Sequence, residues 1–405
     1  MFINLVSGDI IWLKGGHGMS DLKILKIHFD HISLYNEKGL TIDFAAADRV
    51  SDFSEVFELK KPIYTQKLIA LAGINATGKT IALKLIDLAM AVVLNHSSLN
   101  EADLLGTSYL EDQSRMTVDF YRNGMIYELE SIFQRDSTER LTYREEFIRR
   151  KPIQSVKTKK DIYSFDETEV WIQRSNLQEE IQAVLQDDDS IAIVAARNNG
   201  ISLRQSISLT NMNLWATVGK VPQEILHVFD PMLDELVTEV HGSDVSYTVK
   251  FQNRNRPYQL HNTYSLGNLI SSGTIKGQNL LSMMRDVLHT GGYLLVDELE
   301  NHMNKMLVQM ILDIFKSPRM NPKGACLIFT THYVEILDLV DRKDDIYIAR
   351  RSRDEQKLLE IINYKDVVKR NDVKKSEVFL SNYIGGTAPS YENMIALEDA
   401  LCQKK

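Results

Sequence analysis

A chain of 405 residues with 44% hydrophobic side chains holds enough apolar material for one large or two modest cores, and its formal charge of −8 argues against a broadly basic nucleic-acid coat while leaving local basic patches open. Two cysteines, Cys326 in an apolar run and Cys402 in the tail, argue against a disulfide framework and read as structural or incidental. No apolar run approaches the length of a membrane span, so a cytoplasmic location is expected.

Residues 1–18 carry one lysine and a Gly-Gly-His-Gly run, too weakly patterned for a signal peptide, and read as an extension before a start at Met19. Asp21 to Phe29 alternates as a strand, and a second strand over Leu40 to Phe44 follows the turn Asn36-Glu37-Lys38-Gly39. Lys67 to Ala72 reads as a buried strand and Ile81 to Met90 as a helix, with Gly73-Ile74-Asn75-Ala76-Thr77-Gly78-Lys79-Thr80 between them. That run fits the P-loop pattern at every fixed position and in the required strand-to-helix setting. Backbone N–H groups of Gly73, Asn75, Ala76, Thr77 and Gly78 would face the phosphates of a nucleotide, Lys79 would reach the β and γ phosphates, and the Thr80 hydroxyl is left for Mg²⁺.

Met116 to Tyr121 and Met125 to Leu129 flank Arg122-Asn123-Gly124 as a hairpin, and strand character continues to about Phe165. Within it, Arg149, Arg150, Lys151, Lys157, Lys159 and Lys160 form the densest basic segment, either a solvated loop or a contact for phosphate or an acidic partner. From Glu167 to about Val240 the pattern turns helical, including Leu177 to Leu185 and Pro222 to Val240, and Val245 to Phe251 returns to strand. Asp187-Asp188-Asp189 has a spacing that a metal nuclease uses, but follows a helix end with no strand-terminal glutamate nearby. No sustained heptads occur, so the stretch is expected to form a compact lobe.

Ile270-Ser271-Ser272-Gly273-Thr274 precedes an amphipathic stretch through Val287 and suits a helix N-cap. Gly291 to Val296 is an apolar strand ending in Asp297 and Glu298; the first carboxylate would hold Mg²⁺ through water, and the second would polarise an attacking water. Leu327 to Thr331 is a strand ending in His332, a residue that in isolation is most often structural.

The order of these elements, P-loop, Ser-Ser-Gly, Asp-Glu and a strand-terminal His, resembles the ABC-type ATPases, in particular the SMC- and RecF-like branch. Gly-x-Asn-Ala-Thr-Gly-Lys-Thr, Ser-Ser-Gly-Thr, Asp297-Glu298-Leu299-Glu300-Asn301-His302 and Lys375 to Leu380 are similar to the "AAA family" ATPases of bacterial anti-phage systems, including the overcoming-lysogenization-defect, Septu and PARIS types, over residues 21–90 and 262–400. The resemblance implies an α/β fold: an ABC-type ATPase head with a mixed β-sheet and flanking helices, formed by residues 19–105 and 246–405, with a β-hairpin and helical lobe inserted over 106–245.

It also implies that the chain binds ATP and Mg²⁺ and hydrolyses ATP as a dimer or larger homo-oligomer. Glu298 and His332 would be catalytic, with Ser272 and Gly273 capping the γ-phosphate held in another subunit. A sensor or scaffold role controlling a separately encoded nuclease follows from the defence likeness; a RecF-like DNA-repair ATPase is the alternative, and a transporter ATPase fits poorly. Asn304 and Lys305 depart from the His-Pro that many relatives carry after the acidic pair. The glutamine that couples the γ-phosphate to the lobe has two candidate places, Gln134 and the segment from Ile191 to Asn199.

Overall fold

The computed structural model describes residues 21–101, 104–165, 170–182, 184–210, 217–242, 244–352, 358–370, 373–387 and 391–402; the extension expected over 1–18 and the start at Met19 lie outside them. The fold is mixed α/β, built on a central sheet of six strands in the order Leu203–Gln205, Tyr293–Val296, Cys326–Thr331, Leu68–Ala72, Ile346–Arg351 and Leu359–Asn363. The first five run parallel and the last closes the edge antiparallel, so the sheet is mixed. Its middle strands are buried on both faces, which is why they read as unbroken apolar runs. Leu68, Ala70 and Ala72 pack on one side with the helices Ser272–Thr290 and Lys305–Lys316, while Ile69 and Leu71 pack on the other with the helix Lys79–Met90.

A second sheet, all antiparallel, covers the far side of the Lys79–Met90 helix. Its order is Leu40–Asp43, Lys23–Ile32, Leu110–Arg122, Met125–Arg135, Leu141–Pro152 and Val170–Gln173. The hairpin turn forms as the sequence dictates: Asn123 and Gly124 both have positive φ, 49° and 80°, and Arg122 pairs with Met125. Lys23–Ile32 pairs directly with Leu110–Arg122, so the hairpin extends the N-terminal sheet and does not stand apart from it. The helix between the two sheets is buried almost all round, from Ala82 to Met90, and its position beneath both sheets holds the loop before it.

The helical expectation over residues 167–240 is corrected. Among the described residues of that stretch the α-helices are the short segments Glu179–Gln182, Ala192–Ala196 and Gln223–Phe229, and Leu233–His241 is a strand in a four-stranded antiparallel sheet with Gly219–Lys220, Asp244–Phe251 and Tyr258–Leu260. A β-bulge lies between Leu233 and Glu235. The extra residue changes the alternation, so Leu233 and Leu236 both face inward at a spacing of three, which mimics a helical stripe. Among the described residues from Leu177 to Leu185, the α-helix is the single turn Glu179–Gln182. The small sheet has its own core, which includes Ile275 and so fastens it to the helix Ser272–Thr290. Among the described residues no helix is long and apolar enough to cross a membrane.

Candidate functional site

The strand order fixes what can meet. Neighbouring strands lie about 4.8 Å apart, so groups at the carboxyl ends of Leu68–Ala72 and Tyr293–Val296, two strand spacings apart, need something between them. Cys326–Thr331 is that intervening strand, and His332 follows its end. Carboxyl ends of parallel strands are where such sheets bind ligands. A cleft opens there, lined by Leu34, residues 75–81, Glu298, His332, Arg351 and Leu359.

The loop from Gly73 to Thr80 is shaped by its glycines. A Cβ on Gly73 would stand 2.4 Å from the Ala349 carbonyl oxygen, and Gly78 combines φ +87° with a Leu359 methyl 2.5 Å from where a Cβ would lie. The Thr77 hydroxyl donates to the Ile74 carbonyl at 2.8 Å, closing the loop on itself, and Asn75 and Ala76 remain exposed at its tip. Lys79 opens the helix. Its buried ammonium donates to the carbonyls of Gly73 at 2.8 Å and Ile74 at 2.9 Å. Burial pulls its pKa down from 10.5 to about 8, with the carboxylates of Asp297, Glu298 and Glu300 opposing that fall.

Thr80 donates to both carboxylate oxygens of Asp297, at 3.1 and 3.0 Å. A hydroxyl and a carboxylate in contact form the partial oxygen set that Mg²⁺ uses when phosphates and water complete its shell, so these residues fit that ion. Among the described residues no group of three or more His, Cys, Asp and Glu side chains forms a metal cage. Next to Asp297, Glu298 adopts the left-handed φ of 52° and turns its side chain toward the histidine.

His332 joins the two outer strands. Its Nδ1 lies 3.2 Å from the Lys79 ammonium and its Nε2 lies 3.0 Å from Glu298 Oε1. An ammonium can only donate, so Nδ1 accepts; the ring proton is then on Nε2 and is donated to the glutamate. Lys79, His332 and Glu298 thus form one hydrogen-bonded chain across three adjacent strands. The Asn301 amide adds a longer contact of 3.4 Å to Glu298 Oε2.

Ser272 and Gly273 stand elsewhere in the chain, outside the lining of that cleft. Ser271 caps the helix Ser272–Thr290, its side chain accepting the Thr274 N–H as the sequence pattern predicts. The Ser272 hydroxyl meets His302 Nδ1 at 3.1 Å, and a Cβ on Gly273 would lie 2.6 Å from the His302 carbonyl oxygen. The helix start is therefore seated on the far end of the acidic loop. Asn304 has a local use: it caps the helix Lys305–Lys316 by accepting the Leu307 N–H at 3.0 Å.

Other candidates serve the framework. Arg149 pairs with Glu128 and Glu130 at 2.6 and 3.0 Å, Arg150 stacks 4.0 Å from the Trp171 ring centre, and Lys159 donates to the carbonyls of Ala47 and Asp48. Lys151 donates to the carbonyls of Asp161 and Ser164, so four of the six basic residues of this segment are committed to internal contacts. Asp188 accepts from Asn100 and Arg140, and Asp189 from Ser98 and the Gln186 N–H. Gln134 lies exposed at a strand end, and Asn199 donates to the Leu94 and Ala196 carbonyls; neither lines the cleft. Sequence reasoning missed the strand Leu203–Gln205 beside Tyr293–Val296; Gln205 accepts the Ile207 N–H at its end, and the adjoining Ser206 lines a cavity together with Asp297 and Glu298. A three-residue strand gives too short an alternation to find it.

Compared with protein-family models and with curated proteins, the chain matches none. The geometry of the cleft and the residues that form it therefore carry the functional reading.

Proposed function

We propose that the chain is an ABC-type P-loop ATPase that binds ATP with Mg²⁺, hydrolyses it at sites shared between copies, and acts as the sensor or scaffold subunit of an anti-phage defence system whose nuclease is separately encoded. The observation that carries the catalytic part is the Lys79–His332–Glu298 chain, which sets a phosphate-seeking cation and a carboxylate base at the two ends of one imidazole. The defence role and the nuclease partner follow from the motif resemblance.

In this reading the exposed turn at Asn75 and Ala76 and the first turn of the Lys79–Met90 helix present N–H groups to the phosphates, and Lys79 stabilises charge on the transferred phosphoryl group. Thr80 and Asp297 would hold Mg²⁺, which neutralises phosphate charge when bound. Glu298 orients a water and takes its proton, while the Nε2–H of His332 fixes the direction of that carboxylate. Ser272 and Gly273, turned to His302 in their own subunit, are offered to the cleft of a second copy. Leu34, Leu359 and Arg351 form the wall available to the base.

The test is single-turnover hydrolysis of γ-labelled ATP by the purified protein, beside Lys79→Ala. Release of labelled phosphate by the wild type and its loss in the variant, together with loss of equilibrium ATP binding, support the assignment. Undiminished binding and turnover by Lys79→Ala refute it.

A further inference from the structure

We propose that Thr330 and Glu300 are positioning residues that latch the two strand-end loops together, so that Glu298 and His332 move as one rigid unit; this deepens the ATPase reading and rests on it. Thr330 is wholly buried at the end of the middle strand. Its hydroxyl donates to Asp297 Oδ1 at 2.7 Å and accepts the Glu298 N–H at 2.7 Å, while its carbonyl accepts the Leu299 N–H at 3.1 Å. One side chain thus serves both acidic residues.

The bond to Glu298 has a particular purpose. A residue with a side chain rarely holds a φ of +52° without support, and the Thr330 hydroxyl ties down the N–H of the residue that does so. The reverse tie comes from the acidic loop. Glu300, also buried, accepts the His332 main-chain N–H on Oε1 at 2.7 Å, which fixes the backbone that carries the imidazole. Its other oxygen, Oε2, is buried without a hydrogen-bond partner among the described residues.

Each loop therefore grips the other: the middle strand holds the acids through Thr330, and the acids' loop holds the histidine through Glu300. The 3.0 Å contact between His332 Nε2 and Glu298 Oε1 depends on both grips. Neither Thr330 nor Glu300 lines the nucleotide cleft, so their removal should disturb chemistry more than ATP capture.

The experiment measures single-turnover ATP hydrolysis at saturating Mg²⁺ and equilibrium binding of the non-hydrolysable analogue AMP-PNP, for the wild type and for Thr330→Val, Thr330→Ser, Glu300→Ala and Glu300→Gln. Displacement of a reacting group by about 1 Å costs about 10²-fold, and that loss of rate is expected for Thr330→Val and Glu300→Ala, with analogue affinity changed by less than about threefold. Thr330→Ser keeps the hydroxyl and Glu300→Gln keeps an acceptor oxygen, so both should recover most of the rate. A generalised structural defect would instead lower rate, affinity and thermal stability together in all four. If Glu300→Ala does not fold, the Thr330→Val and Thr330→Ser pair decides. Wild-type hydrolysis with an undiminished rate in Thr330→Val, or a parallel loss of affinity, overturns the latch alone; absence of hydrolysis by the wild type overturns the ATPase reading and the latch with it.

Discussion

Replacing Lys79 by methionine separates the cost of the site from its use. The ammonium is buried against two loop carbonyls, and the fall of its pKa from 10.5 to about 8 corresponds to about 3 kcal/mol of penalty on the charged form, at about 1.4 kcal/mol per pKa unit. Lys79→Met removes that penalty but leaves the carbonyls of Gly73 and Ile74 and the Nδ1 of His332 without their donor, which costs about 1 kcal/mol each. The two effects cancel to within about 1 kcal/mol, so without nucleotide the variant should melt within about 2 °C of the wild type. With Mg–ATP at about 100 times its dissociation constant the wild type should gain about 2.7 kcal/mol, and the variant should gain none. Thermal denaturation of both proteins, with and without nucleotide, measures all four quantities. A variant weaker than the wild type by more than about 2 kcal/mol without nucleotide would show that the lysine is structural, and an equal response of both proteins to ATP would refute its role at the phosphates.

Three further outcomes follow from the same geometry. Glu298→Gln keeps the hydrogen-bonding oxygen facing His332 but cannot accept a proton, so it should bind ATP and lose about 10²–10⁴-fold in single-turnover hydrolysis. Lys23 donates to the carbonyls of Gly291, Lys323 and Gly324, and burial lowers its pKa to about 7. Between pH 7 and 10.5 the unfolded chain holds a proton there that the folded chain releases, so this residue makes stability rise with pH in that window, and Lys23→Met should flatten the rise seen in denaturant titrations at pH 7.5 and 9.5. Gly277→Ala would place a Cβ 2.0 Å from the Phe229 ring where the small sheet meets the Ser272–Thr290 helix, and should cost about 1–3 kcal/mol in chemical denaturation.

The sequence made the core of the site legible because each piece carries a local signal. Gly73 to Thr80 has its strand and helix on either side, Ser271 caps as expected, and Asp297 and Glu298 end an apolar strand. The contact of His332 with both Lys79 and Glu298 was not legible, because it depends on which strand lies in the middle of the sheet, a long-range fact. Thr330 reads as another β-branched strand residue and Glu300 as a loop acid until the pairing of their strands brings them to Glu298 and His332. The strand Leu233–His241 was concealed by its bulge, which set two leucines at a helical interval. The basic run from Arg149 to Lys160 signalled charge but not its partners, which are Glu128 and Glu130 on the neighbouring strand and the Ala47 and Asp48 carbonyls of a loop far away in sequence.

The shared site is tested most directly by sedimentation velocity of Glu298→Gln with and without Mg–ATP, alone and combined with Ser272→Arg. The Ser272 hydroxyl sits at the His302 end of the acidic loop and not in its own subunit's cleft, so an arginine there should obstruct closure on a second copy while leaving the Lys79 loop intact. The account predicts a larger species that forms only with ATP, disappears with Ser272→Arg, and is matched by near-normal ATP binding but failed hydrolysis in the Ser272→Arg single variant. Assembly that ignores both ATP and Ser272, together with full hydrolysis by Ser272→Arg, would contradict it.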